Sequence, residues 1–460
     1  MRLYRALVVL LRLVARAFFR QIEVVGLEHV PPEGSGAVLF AGNLPNSLID
    51  PVLVIAFSGR IVHFAAKDVL FKSRLLRFFL DGLGAVPVSR KADHGDVGGK
   101  NDQAFDAMHR VLGQGKAVGI FPEGLSHDEA QLARLKTGAA RIALGACAAN
   151  PGLKIHIIPV GLNYIQPKRF RTRVLVQFGP PIIVEAPAAE PAPEETRTAA
   201  RELTDRLELN MRALTVNAED WDTLRVLDGV RRLYQPPGVA LEERVELARR
   251  FASVYPSVKH QPEVQALYAG VADYQARLDE VGLTDRDVRR GFTPGDAALR
   301  LWFHALLLLV WAPLAIPGSI VHAPVGVMAA LAGRTLTPRK DVVGTTKLVA
   351  GLVGCVLGYV ALVAIAALSW GALAGFLALV LLPLTGYATL RVVDRTGAIR
   401  RYRRTTLRLF RLGDDIDFLV RTRRALEGEV LRAVERFKPE SMVALFPRVA
   451  PPAPIPEPYT

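Results

Sequence analysis

The chain has 460 residues, enough for more than one domain; 50% are hydrophobic and the mean hydropathy is +0.24, too apolar for an ordinary soluble enzyme. Its formal net charge is +14, from 58 Lys and Arg against 44 Asp and Glu, which calls for an anionic partner. With no zinc-ligand spacing and no aromatic-rich RNA-binding signature, nucleic acid is set aside in favour of an anionic membrane face.

The two cysteines, Cys147 and Cys355, lie in unrelated apolar segments, so no disulfide and a reducing compartment are expected. In residues 1–21, Arg2, Arg5, Arg12, Arg16 and Arg20 fall within an arc of about 80° on a helical wheel, with Leu, Val and Phe around the rest. Two readings stay open. The helix lies in a membrane interface with its arginines toward lipid phosphates, or it packs on the next domain with its arginines solvated. A signal peptide is disfavoured, because Arg12 and Arg16 interrupt the apolar run and no small-residue cleavage site follows.

Residues 22–185 alternate short apolar runs with helical patterns. Strands are expected at 37–41, 61–64, 85–88, 117–121, 155–160 and 174–178, and helices at 69–83, 101–112 and 139–149. That alternation predicts an α/β domain with a mostly parallel sheet, followed by a helical region and C-terminal transmembrane helices.

Gly42-Asn43-Leu44-Pro45-Asn46-Ser47-Leu48-Ile49-Asp50-Pro51 follows the first of these strands. Asp50 stands where the chain leaves the core. It either caps the next helix, with Pro51 at the first position, or faces a pocket. Three more blocks sit at strand ends, where α/β sites form. Gly84 to Arg90 ends with a cation beyond a strand; Phe121-Pro122-Glu123-Gly124-Leu125-Ser126-His127 supplies a carboxylate, a glycine and a hydroxyl; Ile157-Ile158-Pro159-Val160-Gly161 is a strand interrupted by proline. Between the last two, Lys136 and Thr137 precede a helix start whose free N–H groups suit a phosphate, with Thr137 as its cap.

Together and in this order, the four blocks resemble the glycerolipid acyltransferase superfamily, nearest its membrane glycerol-3-phosphate and dihydroxyacetone-phosphate branch. Residues 43–50 look like its Asn-His…Asp motif, and residues 121–124 its Phe-Pro-Glu-Gly motif. The resemblance implies acyl transfer from an acyl thioester (acyl-CoA or acyl carrier protein) to a hydroxyl of glycerol 3-phosphate or a lysophospholipid, with no cofactor. It implies that Asp50 orients the catalytic base, that Arg90, Gly124 and Ser126 hold the phosphorylated acceptor, and that Glu123 organises their loop. Lys67 and Lys136 are added here from charge and position. This sequence has Leu44 where the family has its histidine, and a leucine accepts no proton. His63 and His127 are the nearest substitutes; otherwise they are a strand residue and a turn residue. The alternative is a non-catalytic homologue that binds phospholipid or acyl donor as a regulator or scaffold.

Residues 186–296 read as a Pro/Ala/Glu-rich linker and a charged helical region, with helices at 240–255 and 263–281. Residues 297–391 form the membrane region. There, residues 301–332 are expected to dip in and return at Pro313 and Pro317, and 348–390 to make two spans turning at Ser369-Trp370-Gly371. Residues 392–460 read as a basic tail, Pro-rich from Pro447. An integral membrane protein with its catalytic domain and both termini on the cytoplasmic side is expected, in contact with anionic lipids.

Overall fold

The computed structural model describes residues 2–88, 98–186, 192–281, 283–289, 294–337, 339–409 and 413–439. The strands are β1 (Gln21–Val25), β2 (Ala37–Gly42), β3 (Val62–Lys67), β4 (Val86–Val88), β5 (Ala117–Ile120), β6 (Lys154–Tyr164), β7 (Arg173–Phe178) and β8 (Ile182–Glu185). They form one eight-stranded sheet in the order β1-β7-β6-β2-β5-β3-β4, with β8 on β6. Pairing is parallel except where β6 meets β7 and β8.

β2 is apolar at every position because both its faces are covered, as in a central parallel strand. Ala37, Leu39 and Ala41 face Met108, Leu112, Ile142 and Leu207 from helices Gly98–Gly113, Gly138–Ala149 and Pro193–Arg212. Val38 and Phe40 join Phe18, Phe19, Ile49 and Leu53 on the other face, beside α1 (Arg2–Phe18) and α2 (Ile49–Phe57).

α1 docks on this face. Tyr4, Leu7, Ala15 and Phe18 are buried, the Tyr4 hydroxyl accepts the Val62 N–H at 2.8 Å, and Arg12 Nε donates to the Ala56 carbonyl at 2.6 Å. Leu3, Val9, Leu10 and Leu13 stay exposed among the arginines.

The chain divides into two compact units, one of residues 1–215 with 313–391 and one of residues 216–312 with 392–460. Three expectations change here. Helix Pro193–Arg212 belongs to the α/β unit and not to the helical region, because Leu203, Leu207 and Met211 complete the sheet's core. No break interrupts the first apolar segment: Pro294–Thr335 is one helix with Pro313, Pro317 and Pro324 inside it. Gly413–Phe437 is not a tail; its Leu419, Leu426 and Val430 pack with Val230, Leu267, Val271 and Tyr274 in the second unit. There Arg423 ties that helix to Asp285 at 3.0 Å and pairs with Glu427 of its own helix at 2.7 Å. The Pro-rich end lies outside the described residues.

Among the described residues, three segments are long and apolar enough to cross a membrane: Ala305–Thr335, Lys340–Trp370 and Ala372–Thr396. The last two turn at Gly371, whose positive φ of 89° suits a glycine.

Candidate active site

β2 and β5 are neighbours, and both candidate motif loops leave their carboxyl ends, the edge where parallel sheets build sites. Asn43 fixes the exit from β2. Its amide nitrogen donates to the Leu162 carbonyl at 3.1 Å and its amide oxygen accepts the Leu162 N–H at 2.7 Å. Leu44 comes next; its N–H donates to Glu123 Oε1 at 2.8 Å. Leu44 is only 8% exposed, yet it joins neither apolar cluster of the sheet.

The turn that follows holds Ser47 in the left-handed region at φ 54°, which costs a residue with a Cβ roughly 1–2 kcal/mol. Asp50 closes the turn by accepting the Asn46 N–H at 2.6 Å on Oδ2. Its Oδ1 accepts the Tyr164 hydroxyl at 2.5 Å. Asp50 lies in the first turn of α2, and Leu48 holds the cap position, so the carboxylate serves the turn and Tyr164 and not the helix end. It is fully buried. Burial holds its pKa well above the usual carboxylate range, the two hydrogen bonds oppose that, and the charges of Glu123 and Asp341 reinforce it. Burial likewise raises the Tyr164 hydroxyl, with Asp50 adding to it.

Glu123, 2% exposed, is hydrogen-bonded within the second loop and to the first. Besides Leu44 it accepts the Ala133 N–H at 2.9 Å and bonds His127 Nε2. His127 Nδ1 accepts the Glu129 N–H at 3.2 Å, so both ring nitrogens are engaged. The Glu123 hydrogen bond raises the His127 pKa above its ordinary value, against burial. His127 has no free nitrogen, and His63, whose Nε2 has no partner among the described residues, stands back along its strand. His63 is level with Val118 and Leu39, about three residues, roughly 10 Å, short of the end of β2, and its Nδ1 bonds the Gly84 carbonyl at 2.9 Å.

Gly124 suits its position by its backbone conformation. Its φ is 74°, and a Cβ there would stand 2.7 Å from Lys136 Nζ. Lys136 thus lies against the Glu123 loop, and its N–H donates to the Pro122 carbonyl at 2.8 Å. Thr137 occupies the cap position of helix Gly138–Ala149 but makes no side-chain cap bond, contrary to expectation. Ser126 is 8% exposed and its hydroxyl has no partner among the described residues. Lys67 ends β3, next to β5 in the sheet. Arg90 lies outside the described residues.

Sequence reasoning missed four residues. Tyr164 ends β6, 114 positions from Asp50. Arg339, Asp341 and Thr345 come from the loop and first turn before the second apolar helix: Arg339 donates to the Ser126 carbonyl at 2.7 Å and pairs with Asp341, and Thr345 bonds the Asn46–Leu48 turn. Only Tyr164 carried a signal, a hydroxyl at the end of an apolar strand.

A mostly parallel sheet thus carries these two loops at adjacent strand ends and is joined to long apolar helices. A family model described as Acyltransferase matches residues 21–163, and one described as Glycerol-3-phosphate acyltransferase 2 C-terminal domain matches residues 226–442. These two matches support the membrane glycerol-3-phosphate acyltransferase branch of the glycerolipid acyltransferase superfamily.

Glycerol-3-phosphate O-acyltransferase 2 of Saccharomyces cerevisiae is 28% identical over 430 residues, covering 70% of this chain and 58% of that protein. Glycerol-3-phosphate O-acyltransferase 1 of the same yeast is 34% identical over 273 residues, covering 55% and 36%. The chain thus spans less than two thirds of the length of these relatives. A solved structure, the 1-acyl-sn-glycerophosphate acyltransferase PlsC from Thermotoga maritima, is 20% identical and covers 44% of this chain and 80% of that one, with a TM-score of 0.31.

Proposed function

We propose that this protein transfers an acyl group from an acyl thioester, on coenzyme A or acyl carrier protein, to a hydroxyl of glycerol 3-phosphate or a lysophospholipid. One observation carries the reading: the Leu44–Glu123 bond joins the two motif loops around buried Asp50 and the partnerless Ser126 hydroxyl. Ser126 and Gly124, with Arg90, Lys136 and Lys67, hold the acceptor's phosphate; a buried hydroxyl without a partner is costly unless a ligand satisfies it. In this reading Asp50 orients a base at position 44.

Position 44 holds leucine, and loss of a positioned base costs on the order of 10²- to 10⁴-fold in rate. That favours a second reading, a non-catalytic homologue that binds phospholipid or acyl donor. The engaged ring nitrogens of His127 support it. An acyl-transfer assay on the purified protein, with several acceptors and both donor types, alongside calorimetry with glycerol 3-phosphate, separates the two. Transfer above background establishes the first; binding without transfer establishes the second; neither binding nor transfer sinks both.

The acyltransferase domain is read as cytoplasmic. The basic residues around the hairpin (Arg334, Arg339, Lys340, Lys347 and, after it, Arg395) fit the positive-inside bias and an anionic leaflet. The exposed Leu3, Leu10 and Leu13 of α1, with Arg2, Arg5 and Arg16 beside them, suit the same surface.

A further inference from the structure

The left-handed Ser47 lies inside the turn that carries Asp50, and such a conformation persists only where its surroundings over-determine it. Part of that determination comes from the start of the second apolar helix, Val343–Trp370. The Thr345 hydroxyl donates to the Asn46 carbonyl at 2.9 Å and accepts the Leu48 N–H at 3.1 Å. One hydroxyl thus ties the backbone groups on either side of Ser47, acting as donor and acceptor at once. Thr345 is 9% exposed, so water competes poorly for these bonds.

Gly344 makes the approach possible. A Cβ there would stand 2.5 Å from Asn46 Oδ1 and 3.0 Å from the Pro167 carbonyl oxygen, the oxygen that the Asn46 side-chain amide donates to at 3.1 Å. Lys347, on the same turn, donates to the Lys168 carbonyl at 2.8 Å. Contacts from three residues, Gly344, Thr345 and Lys347, therefore seat the head of a membrane helix on the loops of the site.

We propose that Thr345 is a positioning residue of the acyltransferase site: through its hydroxyl the membrane hairpin holds the Asn46–Leu48 turn, and with it Asp50 and the backbone of position 44, in the geometry that receives substrate. The word site rests on the functional reading above; the coupling of hairpin and turn does not.

The test is hydrogen–deuterium exchange on the full-length protein in detergent micelles, read on peptides spanning residues 43–50, for the natural protein, Thr345→Val, Thr345→Ser and Gly344→Ala. Thr345→Val keeps the shape and removes both bonds; Thr345→Ser keeps the hydroxyl. Exchange in 43–50 should rise by about tenfold or more in Thr345→Val, which loses both bonds, and return to near the natural rate in Thr345→Ser. Gly344→Ala should raise it while leaving the hydroxyl in place. Peptides of β7 should not change in any variant. Equal exchange in the natural protein and Thr345→Val would overturn the proposal, as would a rise spread evenly over the domain, which marks a merely structural role. In parallel, glycerol 3-phosphate should bind more weakly to Thr345→Val than to Thr345→Ser. No binding by the natural protein would sink the functional reading, and the exchange result would still decide the coupling.

Discussion

Glu123 accepts the backbone N–H of Leu44 at 2.8 Å across 79 positions of sequence, from one motif loop to the other. The same carboxylate accepts the Ala133 N–H and bonds His127, so its charge spreads over three donors in a site that excludes water. Such a group organises the loop; its lone pairs are taken up by structure.

Glu123→Gln should therefore loosen both loops. The amide has one acceptor oxygen instead of two and turns a donor toward one of the N–H groups it faces. Leaving one buried group unsatisfied costs about 1–3 kcal/mol. The melting temperature should fall by several degrees, and glycerol 3-phosphate should bind more weakly. Unchanged melting by calorimetry would show that the contacts to Leu44 and Ala133 carry no weight.

His127 gives a pH dependence with a definite sign. Its hydrogen bond to Glu123 raises its pKa above the ordinary 6.5. A group raised by folding stabilises the fold below its unfolded pKa, and that contribution is lost as pH climbs through the raised value. Thermal stability of the natural protein should thus decline, relative to His127→Gln, as pH rises from about 6.5 upward. Glutamine can still donate to Glu123 but does not titrate. Asp50, also raised, pushes the same way in both proteins, so the difference isolates His127. Parallel profiles would mean that no proton on the ring is linked to folding.

The central strands and both motif loops were legible because a strand buried on two faces reads as an unbroken apolar run, and the polar turn after it is then conspicuous. β1 and β8 escaped notice, since a short strand with polar residues such as Gln21, Glu23 and Glu185 looks like a loop. Helix Pro193–Arg212 was hidden by its own start. Pro193 suits a first helical position and Glu195 accepts the Ala192 N–H at 3.0 Å, yet together with the alanines they read as linker. Tyr164 and Thr345 reach the site across 114 and 299 positions. Periodicity places residues on faces of one element; it does not tell which loops meet.

The contacts that seat the hairpin also constrain membrane topology. Arg339 touches the Ser126 carbonyl and Lys347 the Lys168 carbonyl, so the segment following helix Pro294–Thr335 lies against the domain preceding it. Among the described residues, Ala305–Thr335 is the one candidate span between that domain and Arg339. A single full crossing would part groups that are in contact. An unbroken helix cannot dip in and return, so this one is expected to lie along the interface, with both ends on one side of the bilayer. In a background of Cys147→Ala and Cys355→Ala, Arg300→Cys and Lys340→Cys should be labelled from the cytoplasmic side by an impermeant maleimide, and Ser369→Cys from the other. Labelling of positions 300 and 340 from opposite sides would contradict this topology.

Leu44→His is the most direct test of the site. The backbone at position 44 is already fixed by Glu123, and the Asp50 carboxylate closes the same turn through Asn46. An imidazole at 44 would stand beside that turn, where Asp50 can hold one ring nitrogen protonated and leave the other to accept a proton from the acceptor's hydroxyl. Acyl transfer should rise by on the order of 10²- to 10⁴-fold over the natural sequence, the usual worth of a positioned base. Asp50→Asn in the same background should remove most of the gain, because the ring loses the carboxylate that sets its tautomer. If leucine serves only to fill space, Leu44→His will instead lower the melting temperature with no gain in rate. If the natural protein is robustly active and His63→Ala or His127→Ala abolishes that activity, the base lies elsewhere and position 44 is not the defect.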